Sequence, residues 1–285
     1  MTPGSRAVDD RLERIAGVAC EIRIKLASML DRYVGRVHLR PTENGITLVG
    51  LHRERPQRGR GKYTASELSA NFDAEYRQHC VDISQGRPTP EKELQAFVIS
   101  EAYRAGRCLR VLRTSGSTSG PFDPVAFVTD ELALLTGNGK FVCDLLAVRR
   151  EADRVVPLIV ELKTERAMTR LARQLSDFAR LIESHRPAFE RLYSAVLGAE
   201  LRFTHTPEKW LLWPEAGHGA DPREQELADQ GIGVVQYAAK HEGYRFHVGP
   251  VPLTRSLRPP VTPNCALSQI AAPTTARNAT SESSG

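Results

Sequence analysis

The chain of 285 residues is 41% hydrophobic and 26% charged, which suffices for one large domain or for one core with a smaller addition. Its net charge of +5 and pI near 9.0 fit a polyanionic partner, although many basic proteins have no such role. Five scattered cysteines without a Cys-x-x-Cys pair argue against a disulfide framework and a zinc knuckle. No apolar run approaches the ~20 residues that span a bilayer, and the N-terminus lacks the apolar stretch of a signal peptide. We therefore expect a cytoplasmic protein without a membrane partner.

Residues 1–88 predict a helical and hairpin region. Apolar residues recur every three or four positions between Val8 and Val34, which predicts one amphipathic helix. Its apolar seam either packs on its own domain, which we favour because the coiled-coil pattern is weak, or forms a homodimer. Alternation over Val37–Leu51 around a turn at 43–45 predicts a β-hairpin, and a second helix is expected over Ser66–Cys80.

A basic stretch follows the hairpin and includes Arg58, Arg60 and Lys62. It lacks apolar periodicity, so we predict an exposed loop. Side chains of this kind bind phosphate groups, which makes these three residues candidate nucleic-acid contacts. The alternative is a solvated, flexible loop, which is the commoner outcome for a run of like charges.

Residues 89–255 predict an α/β domain. Thr89 suits a helix N-cap and Pro90 the first helical position, so a helix is expected over Glu91–Ala105, with Gly106 at its end. A short strand follows over Cys108–Arg113. The Gly137-Asn138-Gly139 turn between apolar segments predicts a hairpin with arms at 132–136 and 140–148.

The rest of this domain continues the alternation of strands and helices. A strand is expected over Val155–Lys163, helices over 167–184 and 187–197, and strands over 209–213, 232–237 and 244–248. From residue 256 the chain is rich in Pro, Ala, Ser, Thr and Asn. We therefore expect a disordered tail over 256–285, because it has too little apolar material to offset the entropy of ordering.

Charged residues interrupt two of the apolar strands. Asp144 lies within one strand, while Glu161 and Lys163 end the next. A buried charge is costly unless something compensates it. Side chains alternate across a strand, so Glu161 and Lys163 share a face and Leu162 points into the core. If the strands are neighbours, Asp144 and Glu161 converge on one ion.

Such a pair of carboxylates suits a hydrated Mg²⁺ or Mn²⁺ ion that accepts a phosphate oxygen. The ion polarises the phosphorus centre and lowers the pKa of a bound water, and Lys163 is placed to contact that water or the phosphate. The pattern therefore predicts hydrolysis of nucleic-acid phosphodiester bonds.

The segment from Glu91 to Val248 resembles the PD-(D/E)xK nuclease superfamily. That pattern has an acidic residue in the first helix, then an Asp, then Glu-x-Lys, then often a Gln in the following helix, and the matching residues are Glu93, Asp144, Glu161, Lys163 and Gln174. The resemblance implies an α/β restriction-endonuclease-like core, a mixed central β-sheet flanked by α-helices, here with an N-terminal helical and hairpin extension. Cys143 stands where the family often has Pro, a departure that the family tolerates.

The same resemblance implies a nuclease that depends on Mg²⁺ or Mn²⁺ and acts on nucleic acid, with DNA as our first expectation. Its candidate metal ligands are Asp144, Glu161 and Glu93, and its candidate catalytic residues add Lys163 and Gln174. Arg170 and Arg173, in the helix that holds Gln174, are further candidate contacts to nucleic acid.

Each candidate residue has a structural alternative. A lone Glu-x-Lys at a strand end is usually a surface ion pair. Glu101 competes with Glu93 for the helix position, Gln174 either faces the site or borders the core, and Arg170 and Arg173 fit an exposed helix face. The rival to an enzyme is a non-catalytic nucleic-acid-binding or assembly protein that retains a nuclease-like fold.

Overall fold

The chain has a three-stranded and a six-stranded β-sheet with helices packed on both. This architecture comes from a computed structural model that describes residues 3–51, 59–82, 89–112, 125–136, 139–151, 153–166, 170–216, 221–241 and 243–248. The predicted tail over 256–285 lies outside the described residues.

The N-terminal region forms a small antiparallel sheet in the order β1-β2-β3. The predicted hairpin is confirmed, because Thr42 pairs with Gly45 across a tight turn in which Gly45 has a φ of +122°. A Cβ atom on Gly45 would lie 2.7 Å from the carbonyl oxygen of Tyr63, so the turn requires glycine. The elements here are α1 (Pro3–Lys25), α2 (Ala27–Arg32), β1 (Val37–Thr42), β2 (Gly45–Gly50), β3 (Gly59–Tyr63) and α3 (Ala65–Asp82).

Two predictions for this region need correction. The single helix expected over Val8–Val34 is broken at Leu26, whose φ and ψ of −120° and 4° end α1 and start α2. The basic stretch expected to be a loop contains strand β3, which pairs with β2 from Ile46 to Val49. Strand β3 consists mainly of glycine and basic residues and therefore shows no apolar alternation. Its pairing with β2 uses main-chain groups, which such a pattern does not report.

The six-stranded sheet follows chain order, β4-β5-β6-β7-β8-β9. Strand β5 is antiparallel to both of its neighbours, β4 and β6. Strands β6, β7 and β8 run parallel, and β9 is antiparallel to β8. The described elements are α4 (Pro90–Arg104), a 3-10 turn (Arg110–Leu112), β4 (Val125–Thr136), β5 (Gly139–Glu151), β6 (Arg154–Leu162), α5 (Leu171–Ser184), α6 (Arg186–Leu197), β7 (Glu208–Pro214), α7 (Pro222–Asp229), β8 (Ile232–Lys240) and β9 (Gly243–Val248).

This sheet confirms the α/β class and the mixed central sheet flanked by helices. The Thr89 cap is also confirmed, since its hydroxyl oxygen accepts the Lys92 N–H at 3.4 Å. The strand expected over Cys108–Arg113 is wrong within its described part, because only Cys108 bridges to β4 before the chain turns into the 3-10 segment. Helix α7 was not predicted, since its eight residues contain one buried apolar side chain, Leu227.

Two apolar layers cover the faces of the large sheet. Helix α4 packs on the face that carries Leu145, Ala147 and Val160. The opposite face carries Leu146, Val148 and Ile159, and packs against α5, α6 and the first half of α1. The first half of α1 therefore belongs to the core of the large sheet, although α1–α3 and β1–β2 also enclose a smaller core of their own.

The apolar seam of α1 is used for packing within the chain. Leu12, Ile15 and Ala19 are buried in the core beneath α6, and Ile22 and Leu26 are buried in the smaller core. This confirms the intramolecular interpretation of the seam, and the homodimer stays a prediction. Within the described ranges, no helix is long and apolar enough to cross a membrane.

Candidate functional site

The candidate site lies where strands β5 and β6 separate. Their pairing ends at Leu145 and Val160, one residue before Asp144 and Glu161 would face each other. Beyond this point β6 stays paired with β7, through Glu161–Leu211 and Leu162–Leu212. The Asp144 carboxylate fills the gap, and its Oδ2 accepts the main-chain N–H of Leu162 at 2.8 Å.

Four charged groups meet at this gap. The Lys163 ammonium lies 2.9 Å from Glu161 Oε1, 3.9 Å from Asp144 Oδ2 and 3.9 Å from Glu91 Oε2. Alternation along β6 gives Glu161 and Lys163 one side of the strand, as expected, while Leu162 is fully buried in the core on the α4 side. Asp144 and Glu161 are only 8% and 4% exposed, whereas Glu91 and Lys163 are partly exposed at the edge of the same cluster.

Burial and charge crowding change the protonation of this cluster. Burial raises the pKa of Asp144 to about 7, and the Glu161 carboxylate adds to the rise. Burial also raises the pKa of Glu161, against the opposing attraction of Lys163. For Lys163, burial acts to lower the pKa, but attraction to Glu161, Asp144 and Glu91 together outweighs burial and raises the pKa above its usual value. Lys163 is therefore a cation at neutral pH, whereas Asp144 exchanges a proton there.

Helix α5 adds an amide to the cluster. Gln174 donates from Nε2 to Glu161 Oε1 at 3.0 Å and to the carbonyl of Val142 at 3.3 Å. The sequence left open whether Gln174 faces the site or borders the core, and these contacts show that it faces the site. One carboxylate oxygen of Glu161 is thereby held between an amide and the Lys163 ammonium.

The α4 carboxylate that comes within 4.0 Å of Lys163 is Glu91, not the expected Glu93. Residues two apart on a helix point in different directions, so both glutamates cannot face one centre. The competing candidate Glu101 makes an ion pair with Arg104 at 2.8 Å on an exposed part of the helix.

Sequence reasoning also missed Gln95. Its Nε2 donates to the main-chain carbonyl of Asp144 at 3.2 Å, and the side chain is almost fully buried. Glu91 and Gln95 are four residues apart and therefore share a helix face. That i,i+4 spacing of two polar residues beside an apolar stripe is the signal that could have identified them.

The predicted nucleic-acid contacts do not gather at the carboxylates. Arg170 starts α5 with a φ of 68° and is exposed, and Arg173 is exposed beside Asp177 at 3.6 Å. Lys62 is exposed and Arg60 lies on β3, both in the smaller sheet. Arg58 lies outside the described residues.

A divalent metal fits the charge of this site, although the side chains are not arranged around one. Three ionised carboxylates against one ammonium leave an excess of negative charge that a divalent cation would neutralise. The Leu162 carbonyl oxygen accepts a hydrogen bond from Lys163 Nζ at 2.8 Å, so a neutral oxygen that could serve as a metal ligand lies beside the same ammonium. In the part of the chain that the structure describes, no group of three or more acidic, histidine or cysteine side chains stands in metal-binding geometry. Comparisons with protein-family models, with curated proteins and with solved structures found no match to this chain.

Proposed function

We propose that the protein is a metal-dependent nuclease that hydrolyses phosphodiester bonds of nucleic acid, with DNA as its first substrate. The observation that carries the proposal is the convergence of Asp144, Glu161 and Lys163 at the gap between β5 and β6. Burial, and after it repulsion by Glu161, raises the pKa of Asp144. An ion pair that only served stability would not need this second buried carboxylate.

The order of elements supports a restriction-endonuclease-like core. Helix α4 precedes the β4-β5 hairpin, β6 follows with Glu161 at its end, and α5 then carries Gln174 before β7 joins parallel to β6. This order agrees with the order that the resemblance implies. In this proposal, the divergence of β5 and β6 is where the substrate phosphate approaches the acids.

In this proposal Asp144 and Glu161 hold Mg²⁺ or Mn²⁺, and the Leu162 carbonyl oxygen supports them. Bound there, the ion supplies Lewis-acid stabilisation of a phosphate oxygen and a water of lowered pKa. Glu91 contributes negative charge from α4, which helps to attract a cation.

Lys163 and Gln174 have separate roles. The Lys163 ammonium is charged at neutral pH and stabilises the negative charge that develops on the phosphate. It is also the candidate to orient the attacking water. Gln174 donates to Oε1 of Glu161 and so fixes the orientation of that carboxylate.

Substrate contacts outside the centre are assigned to the exposed cations. Arg170 stands at the N-cap position of the helix that carries Gln174, Arg173 lies in the first turn of that helix, and Lys62 lies on β3. The net charge of +5 favours a polyanion. These contacts would position the phosphate backbone without reading its sequence.

A cleavage assay tests the function. Purified full-length protein is incubated with single-stranded DNA, double-stranded DNA and RNA, each with EDTA, Mg²⁺ or Mn²⁺. We expect cleavage of at least one substrate that requires the metal and is lost in Asp144→Ala and Lys163→Ala. A matched control is Glu190→Gln, which neutralises a buried acid that accepts from the Phe203 N–H, away from this cluster.

The rival interpretations give different outcomes. A non-catalytic nucleic-acid-binding protein would bind with salt-sensitive affinity that both substitutions leave intact, and would cleave none of the substrates. An assembly protein would be an oligomer in solution as the full-length chain, and it too would cleave none of the substrates. Cleavage that survives both substitutions would place the chemistry elsewhere in the chain.

A further inference from the structure

Asp144 lies at an interruption of both strand ladders of β5. The pairing of β5 with β4 joins Leu145 to Asp130 and Cys143 to Leu132, passing over Asp144. The pairing with β6 begins only at Leu145. Asp144 therefore pairs with neither neighbouring strand, whereas Cys143 before it pairs with β4 and Leu145 after it pairs with both.

The residue opposite Asp144 on β4 is Glu131, which adopts an unusual backbone conformation. Its φ of 43° is in the left-handed region, which costs a non-glycine residue about 1 kcal/mol or more and persists only where the surroundings impose it. The Glu131 carboxylate pairs with Arg40 at 2.7 Å and with the Lys92 ammonium. Glu131, which lies opposite Asp144 where the strand pairing is interrupted, thus binds Lys92 of α4.

That lysine leads directly back to Asp144. Lys92 Nζ donates to Gln95 Oε1 at 2.9 Å, and Gln95 Nε2 donates to the Asp144 carbonyl at 3.2 Å. Gln95 is 3% exposed, so water cannot readily replace its bond to the Asp144 carbonyl. An amide has one acceptor and one donor end, and Lys92 fixes the orientation in which the donor faces Asp144.

The far end of this chain of contacts is firmly anchored. Arg40, on β1, binds Asp130 through both nitrogens of one edge, at 2.7 and 2.5 Å. His38 also contacts Asp130 at 2.8 Å and Tyr103 at 2.8 Å. The small N-terminal sheet is therefore tied through buried and partly buried polar contacts to Asp130 and Glu131 of β4.

We propose that Gln95, oriented by Lys92, is a positioning residue that holds the Asp144 main chain in place of the missing strand pairing, and so sets the affinity of the carboxylate pair for a divalent cation. This inference rests on the proposed function. It makes Lys92, Glu131 and Arg40 parts of the same support, although none of them touches the reacting atoms.

The test measures Mn²⁺ binding by calorimetry on metal-free, full-length protein, without any substrate. Gln95→Leu exchanges one neutral side chain for another of similar size, so it removes the hydrogen bonds without changing the charge. We expect Mn²⁺ to bind about 10–100-fold more weakly, the usual effect of removing a group that orients a metal ligand. An unchanged affinity would overturn the inference.

The Lys92→Met variant distinguishes positioning of Asp144 from a direct electrostatic effect on the metal ion. It also provides the test if the Gln95→Leu variant does not fold. Removing a cation near the carboxylates would tighten Mn²⁺ binding if charge alone mattered. Positioning by Gln95 instead predicts weaker binding, and an equal or tighter affinity would contradict it.

Ser100→Ala is the matched structural control. Ser100 is also buried on α4 and donates to the Gly35 carbonyl at 2.6 Å, away from Asp144. It should lower stability without changing Mn²⁺ affinity, and a loss of affinity equal to that of Gln95→Leu would overturn the inference.

Wild type that binds Mn²⁺ without cleaving any nucleic acid would refute the proposed nuclease alone, whereas wild type that binds no Mn²⁺ would refute both.

Discussion

The Asp144 carboxylate accepts the main-chain N–H of Leu162 at 2.8 Å, at the point where β5 leaves β6. A side chain thus satisfies a main-chain donor that strand pairing would normally satisfy. The same bond draws the Asp144 carboxylate towards Glu161 and Lys163, which flank Leu162. The divergence of the strands and the convergence of the charges therefore have one structural origin.

The raised pKa of Asp144 predicts how stability depends on pH in the absence of metal. A folded-state pKa of about 7, above the unfolded value, means that the folded protein binds the proton more tightly, so stability is lost as pH rises towards 7. Asp144→Asn removes this loss while its side-chain oxygen can still accept from Leu162. Its stability relative to wild type should rise by about 2 kcal/mol between pH 5 and pH 8.

Urea unfolding of both proteins in EDTA at the two pH values measures this change. A stability difference that stays constant with pH, or that favours wild type more at pH 8, would contradict a buried Asp144 of raised pKa.

Binding of metal should depend on pH in the opposite sense. Asp144 must lose its proton to act as a ligand, so a divalent ion competes with that proton below a pH of about 7. We expect Mn²⁺ to bind wild type about 10-fold more tightly at pH 8 than at pH 6. Calorimetry in two buffers of different ionisation enthalpy should also detect proton release at pH 6, and its absence there would count against Asp144 as a ligand.

Substitution of Lys163 should separate binding from chemistry. Lys163→Met removes the ammonium that lies 2.9 Å from Glu161, so repulsion of an incoming metal ion falls. Metal affinity should stay equal or improve, while cleavage at saturating Mn²⁺ should fall by about 100-fold or more, because the charge that stabilises the phosphate is gone. Single-turnover rates and Mn²⁺ titrations on the same preparation give both values. A parallel loss of metal affinity would show that Lys163 only supports the fold of the site.

The exposed arginines of α5 should affect affinity for nucleic acid rather than catalysis. Replacing Arg170 and Arg173 by glutamine should reduce the slope of log affinity against log salt by about 1–2, if each contacts one phosphate. Fluorescence anisotropy with labelled DNA in Ca²⁺ at several salt concentrations measures that slope. Arg180→Gln, an exposed arginine further along α5, is the matched control. An unchanged slope in the double variant would remove both arginines from the interface.

Much of the fold could be predicted because local patterns agreed with tertiary packing. Thr89 and Pro90 gave the start of α4, and the turn at 137–139 gave the β4-β5 hairpin, which the structure pairs at Thr136 and Gly139. Strand β3 and helix α7 escaped because neither shows the apolar periodicity of its class. The break at Leu26 was not predicted. The first half of α1 packs in the core of the large sheet, whereas Ile22 and Leu26 pack in the smaller core, and a periodicity pattern does not show that one helix serves two cores.

The candidate site was predictable in part for a related reason. Asp144, Glu161 and Lys163 stand out because charges inside apolar strands are costly and therefore rare. Glu91 and Gln95 did not stand out, because polar residues in the first turns of a helix are ordinary. The ion pair between Arg40 and Glu131 joins residues about 90 positions apart in the chain, and a local sequence pattern does not predict such a long-range contact.

The most direct test of the account is the single-turnover rate of nucleic-acid cleavage by wild type and by Asp144→Asn in saturating Mn²⁺, with Glu190→Gln as control. Asp144 is buried beside Glu161 and Lys163, and we predict a loss of about 1,000-fold or more in Asp144→Asn, with no loss in the control. Equal rates in wild type and Asp144→Asn, or no cleavage by wild type of any DNA or RNA substrate, would contradict a phosphodiesterase centre at the divergence of β5 and β6.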